Sequence, residues 1–242
     1  MIASTSNIYS IMLPPAPLLL EQAAKDHSSM IIQALGDLGA RLKAWNVAAA
    51  VVVSDQWRSP DSFFIDTSAQ HQTNSHYPLP GDSDLAKRLL NAGKKNLLFP
   101  EAVVYGLDAA ITVPLQFLFP QGDVPVVPLS MGLSPLHSFR WGRTIGEVLR
   151  REKGNFLFLT TVEPSCSLIA FLKQRSFSAN SLFQEQISNL LMTGESNNTC
   201  SSLFMLFGLL GIDYLKTMIR IDDFLGNAWE DAVDFSSGRL LH

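Results

Sequence analysis

Two hydrophobic patterns divide the chain. Compact strand-like runs occur at Asn7 to Leu13, Val47 to Val53, Val124 to Leu129 and Asn155 to Thr160, with a shorter one at Phe63-Phe64-Ile65. The run at Val47 to Val53 holds seven apolar residues without a break, the mark of a strand buried on both faces of a parallel sheet. Between these runs, apolar residues recur at helical spacing. Ile31, Leu35, Leu38 and Leu42 predict one helix from roughly Leu20 to Trp45. Pro80-Gly81-Asp82 reads as a turn into a second helix, capped by Asp82 or Ser83, with Leu85, Leu89 and Leu90 inward. A third follows Asp108, and a fourth spans Ser134 to Lys153 with Ile145, Val148 and Leu149 on one face. Two or three more helices reach about Leu210, and Tyr214 to Ile221 alternates as a strand does. Strands alternating with helices predict an α/β fold with a mostly parallel central sheet flanked by helices. With no internal repeat and no linker-like stretch, residues 1–242 read as one domain.

Such a sheet places its ligands outside the carboxyl ends of its strands. Ser54-Asp55-Gln56-Trp57 ends the most buried predicted strand, so a site is expected there. The polar stretch from Arg58 to Asp84 follows directly and is long enough to be a functional loop or a cover.

Composition narrows the function. Nearly half of the 242 residues are hydrophobic, and the formal charge is −4. Only short basic runs occur, at Lys94-Lys95 and at Arg150-Arg151 with Lys153, so no nucleic-acid surface is expected. The two cysteines, Cys166 and Cys200, make neither a metal-binding spacing nor a disulfide framework, which fits a reducing compartment. The amino terminus lacks a basic signal-peptide region, and the apolar run Leu203 to Ile212 is shorter than the roughly 20 residues a membrane span needs. A soluble, cytoplasmic protein without membrane contact is expected.

In their order along the chain, several segments resemble the class III extradiol ring-cleavage dioxygenases, the family of protocatechuate and aminophenol dioxygenase catalytic subunits and of the related Memo-like proteins. These are PPAPLLL after the first strand, SDQW after the second, YPLPGDSDLAKRL, GLDAAITVPL, DVPVVPLSM, HSFRWGRTIGEVL and the late CSSLFMLFGLLG. The resemblance extends from about Ile8 to about Leu210 and implies the family's α/β fold. It also implies a chemistry: Fe(II) held by two histidines and a carboxylate, open positions for a catechol and dioxygen, and a further histidine as acid/base.

Carried over one at a time, those positions hold other residues here. The first ligand histidine falls at Pro15 and the second at Gln56, before Trp57. The helix-entry histidine falls at Ala109, after Asp108, and the acid/base histidine at Cys166. The ligand glutamate falls at Asn197, or at Glu195 after a shift of two. No histidine precedes His27, so no shift of register restores the first ligand. The resemblance therefore implies the fold without the activity: a catalytically inactive relative, with no cofactor expected and a vestigial pocket at Pro15, Asp55, Gln56, Trp57, Asp108, Ala109, Cys166 and Asn197. Its implied partners are an active paralogous subunit in a hetero-oligomer, a second copy in a homo-oligomer, or a small aromatic ligand.

Two enzyme readings stand beside it. An active Fe(II) dioxygenase or other metal enzyme with an unconventional ligand set would draw on Glu195, His71 and His76; histidines in a polar loop are more often solvated. A metal-free enzyme would use Cys166 as nucleophile with His137 as its base, although cysteine is more often simply buried. Asp55, Asp108 and Glu163 also lie at predicted element ends, where carboxylates can share a cleft. Asp108 equally suits a helix cap, and Trp57 suits packing under the loop.

Overall fold

The computed structural model describes residues 7–13, 16–25, 30–59, 62–71, 77, 79–132, 134–161 and 201–211. Its strands are β1 (Ile8–Leu13), β2 (Val47–Arg58), β3 (Phe64–Asp66), β4 (Glu101–Val103), β5 (Val126–Met131) and β6 (Asn155–Thr161). Its helices are α1 (Ala16–Lys25), α2 (Met30–Ala44), α3 (Ser83–Lys95), α4 (Ala109–Leu118), α5 (Pro135–Arg151) and α6 (Ser201–Leu210). The expected strand at Tyr214 to Ile221 and the helices between β6 and α6 lie outside the described residues.

Among the described residues, six strands are ordered β1-β6-β2-β5-β3-β4. β1, β6, β2 and β5 run parallel, as their continuous apolar runs predict. β3 alone opposes its neighbour β5, through the pair Ile65 and Leu129, and β4 lies parallel to β3 at the edge. β2 sits between β6 and β5, and Ala49 to Ser54 are fully buried there. The fold class read from the sequence therefore holds.

Of the helix expected from Leu20 to Trp45, two elements are described: α1, which starts earlier, at Ala16, and α2 from Met30 to Ala44, with residues 26–29 between them outside the described residues. Leu35, Leu38 and Leu42 of α2 do face the core.

The helix caps match their sequence signals. Asp82 accepts from the Leu85 N–H at 2.9 Å and starts α3, where Leu85 and Leu89 are buried and Leu90 partly so. Ser134 caps α5, whose Ile145 and Leu149 are buried. α6 is buried along its whole length and crosses α5 at closest approach through glycine. A Cβ on Gly142 would lie 1.8 Å from the Met205 carbonyl oxygen, and one on Gly208 would lie 1.9 Å from that of Phe139. No helix among the described residues is long and apolar enough to cross a membrane.

Candidate functional site

Because β1, β6, β2 and β5 are parallel, their carboxyl ends share one edge, where Leu13 pairs with Thr161 and Ser54 with Ser130. β2 does not stop at Ser54. Its next residue in register with β5 is Arg58, opposite Met131, so β2 advances four residues while β5 advances one. The excess residues are Asp55, Gln56 and Trp57. They form a bulge of the kind that re-aims side chains at the rim of a sheet.

The buried hydroxyl of Ser54 organises this bulge. Its Oγ accepts from the N–H groups of Gln56 (3.2 Å) and Trp57 (3.1 Å), a turn closed by a serine side chain. The same Oγ donates to Asp108 Oδ2 at 2.5 Å. Asp108 caps α4, its Oδ1 accepting from the Ile111 N–H at 3.1 Å. Tyr105 completes the group: its hydroxyl donates to Asp108 Oδ2 at 2.6 Å. Its ring lies flat on Trp57, with centroids 3.9 Å apart and planes 4° from parallel. Burial pushes the Tyr105 phenol up, and the hydrogen bond to Asp108 and its charge push it further, so it stays a protonated donor. The Asp108 carboxylate thus receives three donors, from β2, from the segment before α4 and from α4 itself.

Tyr105 and the donor role of Ser54 were not read from the sequence. Tyr105 stands three residues before the cap residue Asp108, but the segment Val104 to Leu107 carries no periodicity that would mark a site.

Of the residues singled out from sequence, Gln56, Trp57, Asp108 and Ala109 come together at this edge. Gln56 is exposed, Trp57 is buried under Tyr105, and Ala109 is the half-buried first residue of α4. His137 lies in the first turn of α5, which follows β5 at the same edge. It is exposed, with its Nδ1 2.8 Å from Ser134 Oγ.

His71 lies elsewhere, and the expectation of a solvated loop histidine is corrected. Its side chain is fully buried, with Nε2 3.1 Å from the carbonyl oxygen of Val126, the first residue of β5 and so the opposite end of that strand. Nδ1 lies 3.4 Å from Asp66 Oδ2. Burial raises the Asp66 carboxyl, but the neighbouring His71 ring and the bonds from Ser68 and from the Tyr105 N–H outweigh it and hold the group at about 2. This polar cluster ties the segment after β3 to β5. Pro15, His76, Glu163, Cys166, Glu195 and Asn197 lie outside the described residues, as does the Asp55 side chain.

A facial Fe(II) triad needs two neutral imidazoles and a carboxylate with free lone pairs. Among the described residues, this edge offers the imidazole of His137, the neutral amide of Gln56 and the already bonded carboxylate of Asp108. The described histidine, cysteine and acidic residues form no group of three able to hold a metal. The donors described here do not fit the triad.

Comparison with known proteins agrees with the fold. A crystal structure of an uncharacterized protein from Escherichia coli K12 superposes with a TM-score of 0.56 at 18% identity, over 74% of this chain and 81% of that one. A 75-residue stretch is 39% identical to a 4,5-DOPA dioxygenase extradiol of Portulaca grandiflora, covering 28% of this chain and 27% of the relative's length. The profile of the LigB family, described as the catalytic LigB subunit of aromatic ring-opening dioxygenase, matches residues 9–203. With most of its length under that profile, the chain is a dioxygenase-like protein that belongs to the LigB family of class III extradiol dioxygenases.

Proposed function

We propose that this chain is a catalytically silent LigB-family protein that serves beside an active paralogous subunit. The observation that carries the reading is Gln56. It occupies the position implied for a ligand histidine and stands exposed on the β2 bulge, with a neutral amide in place of an imidazole. Asp108, the described carboxylate beside it, is committed to Ser54, Tyr105 and the α4 cap. A carboxylate that accepts three hydrogen bonds serves as a structural anchor, and the Trp57–Tyr105 stack leans on it. What the described residues hold at this edge is a closed aromatic pair over a hydrogen-bonded carboxylate, which supports a scaffold better than a redox-metal site.

The test is iron content and turnover together. Protein loaded anaerobically with Fe(II) and desalted is expected to retain far less than one iron per chain and to leave catechol and 2-aminophenol uncleaved. Stoichiometric iron with appearance of a ring-cleavage product would overturn the reading and establish an enzyme with an unconventional ligand set. Co-purification with an iron-bearing paralogue would identify the active partner.

A further inference from the structure

The geometry points to a second site: an anion pocket between α5 and the end of α3, built to take a small oxyanion. It is a cavity of about 210 Å³ lined by Asn96, Leu98, Arg140, Arg143, Thr144 and Glu147. None of these residues contributes to the Ser54–Asp108–Tyr105 network, and the inference does not depend on the proposed silence of that edge.

Two guanidinium groups supply the charge, and both have donors to spare. Arg140 uses Nη2 on the Asn96 carbonyl oxygen at 3.3 Å. Arg143 uses Nε on Glu147 Oε1 at 3.2 Å. The other amino groups of both arginines have no partner among the described residues. Glu147 therefore holds Arg143 in place without covering its outer fork, the geometry that suits a planar carboxylate. Lys94 and Lys95, in the last turn of α3, add positive charge beside Asn96.

The helix end that borders the pocket does not oppose an anion. The α3 carbonyls are covered by the N–H groups of Asn96, Leu97 and Leu98, which bond back to Ala92, Gly93 and Lys94. The Asn96 side-chain amide donates to the buried Thr144 hydroxyl at 2.8 Å, which fixes the rim.

The segment that carries Leu98 is strained. Leu98 is buried and lines the pocket, while its neighbours Leu97 and Phe99 stand 68% and 61% exposed. Both hold left-handed backbone conformations, φ 58° and 46°, which are costly for large side chains. Leu98 is covered by the protein itself, so recognition rests on the two guanidinium forks, which carboxylate and phosphate oxygens both match.

The test is a titration of the full-length, isotope-labelled protein with sodium butyrate, and separately with inorganic phosphate, followed by NMR. Each anion is expected to give saturable shifts at the Asn96 side-chain amide and the Arg140 and Arg143 Nε–H signals. Arg140→Gln and Arg143→Gln should each weaken butyrate binding by about tenfold, the worth of a charge-assisted bond. Lys87→Gln, an exposed charge elsewhere on α3, should leave it unchanged. Both arginines are exposed, and circular dichroism will show their variants folded. Shifts that never saturate, or saturable binding that survives both arginine variants, would each overturn the assignment.

Discussion

Tyr105 shows how a single side chain can bind an edge together. It stacks on Trp57, donates its hydroxyl to Asp108 and, through its backbone N–H, reaches Asp66 at 2.8 Å. Tyr105→Phe keeps the stack and removes one bond to a charged acceptor, so it should cost about 1.5 kcal/mol. Tyr105→Ala also loses the stacked ring and should cost clearly more, both read from urea denaturation. The pH dependence has a definite sign. The folded phenol is raised above its ordinary 10.0, so its contribution is complete below pH 10 and is lost as pH rises beyond it. The alkaline limb of the stability curve should therefore be shallower in Tyr105→Phe. Asp66 has the opposite sign. Its carboxyl, lowered from 3.8 to about 2, contributes stability above pH 3.8 that is lost as pH falls toward 2. Asp66→Asn should be less stable than the parent by about 2 kcal/mol at pH 5, and the gap should close near pH 2. An unchanged gap across that range would show that the His71–Asp66 contact is not the source. These two residues also mark a limit of sequence reading. The Asp82 and Asp108 caps sit beside the helices they start and were visible as local signals. Tyr105 with Ser54, and His71 with Asp66 and Val126, are joined only through tertiary contacts, which leave no period or spacing in the sequence.

The same division runs through the elements. β2, β5 and β6 were legible because each is an apolar run buried in the sheet, and β1 because its run is mostly apolar, although it lies at the edge with Tyr9, Ser10 and Ile11 only partly buried. β4 was not: it has three residues at the sheet edge, exposed or half-buried, and no pattern to announce them. The β2 bulge was equally hidden, because its polar residues look like a strand ending, and only the register with β5 shows that pairing resumes at Arg58. The contact between α5 and α6 was missed because glycine in a helix is usually read as a weakness. Here Gly142 and Gly208 each let a helix backbone approach the other. Gly142→Ala should force the pair apart and cost roughly 1–3 kcal/mol, as overpacking does. Gly36→Ala makes the contrast, since nothing lies within 4 Å of its would-be Cβ on the exposed face of α2. That substitution should instead stabilise the protein by about 0.4–1 kcal/mol. Thermal melts of the two variants should move in opposite directions, and a gain of similar size in both would mean that helix propensity outweighs the close crossing.

For the whole molecule, the fold and its family agree while the described donors do not complete the family's metal site, and stability offers a way to separate the two. A ligand that binds only the folded state raises stability by about 2.7 kcal/mol at a hundred times its dissociation constant. For a chain of this length that is a rise in melting temperature of roughly 5 °C or more. An intact triad loaded with Fe(II) under argon should show such a rise. This chain should show almost none, because Gln56 offers a weak neutral donor and Asp108 would have to give up Ser54, Tyr105 and the α4 cap to reach a metal. Zn(II), which accepts imidazole, thiolate and carboxylate donors, makes a useful second probe. Stabilisation by Zn(II) but not Fe(II) would point to Cys166, His76 or Glu195, and Cys166→Ser, His76→Ala and Glu195→Gln would show which is used. Stabilisation by Fe(II) that vanishes in Asp108→Asn would mean that the carboxylate leaves its hydrogen bonds for a metal, and the silent-subunit reading would fall. Indifference to both ions would leave the edge as a hydrogen-bonded scaffold, and its function would then be sought in what docks on it.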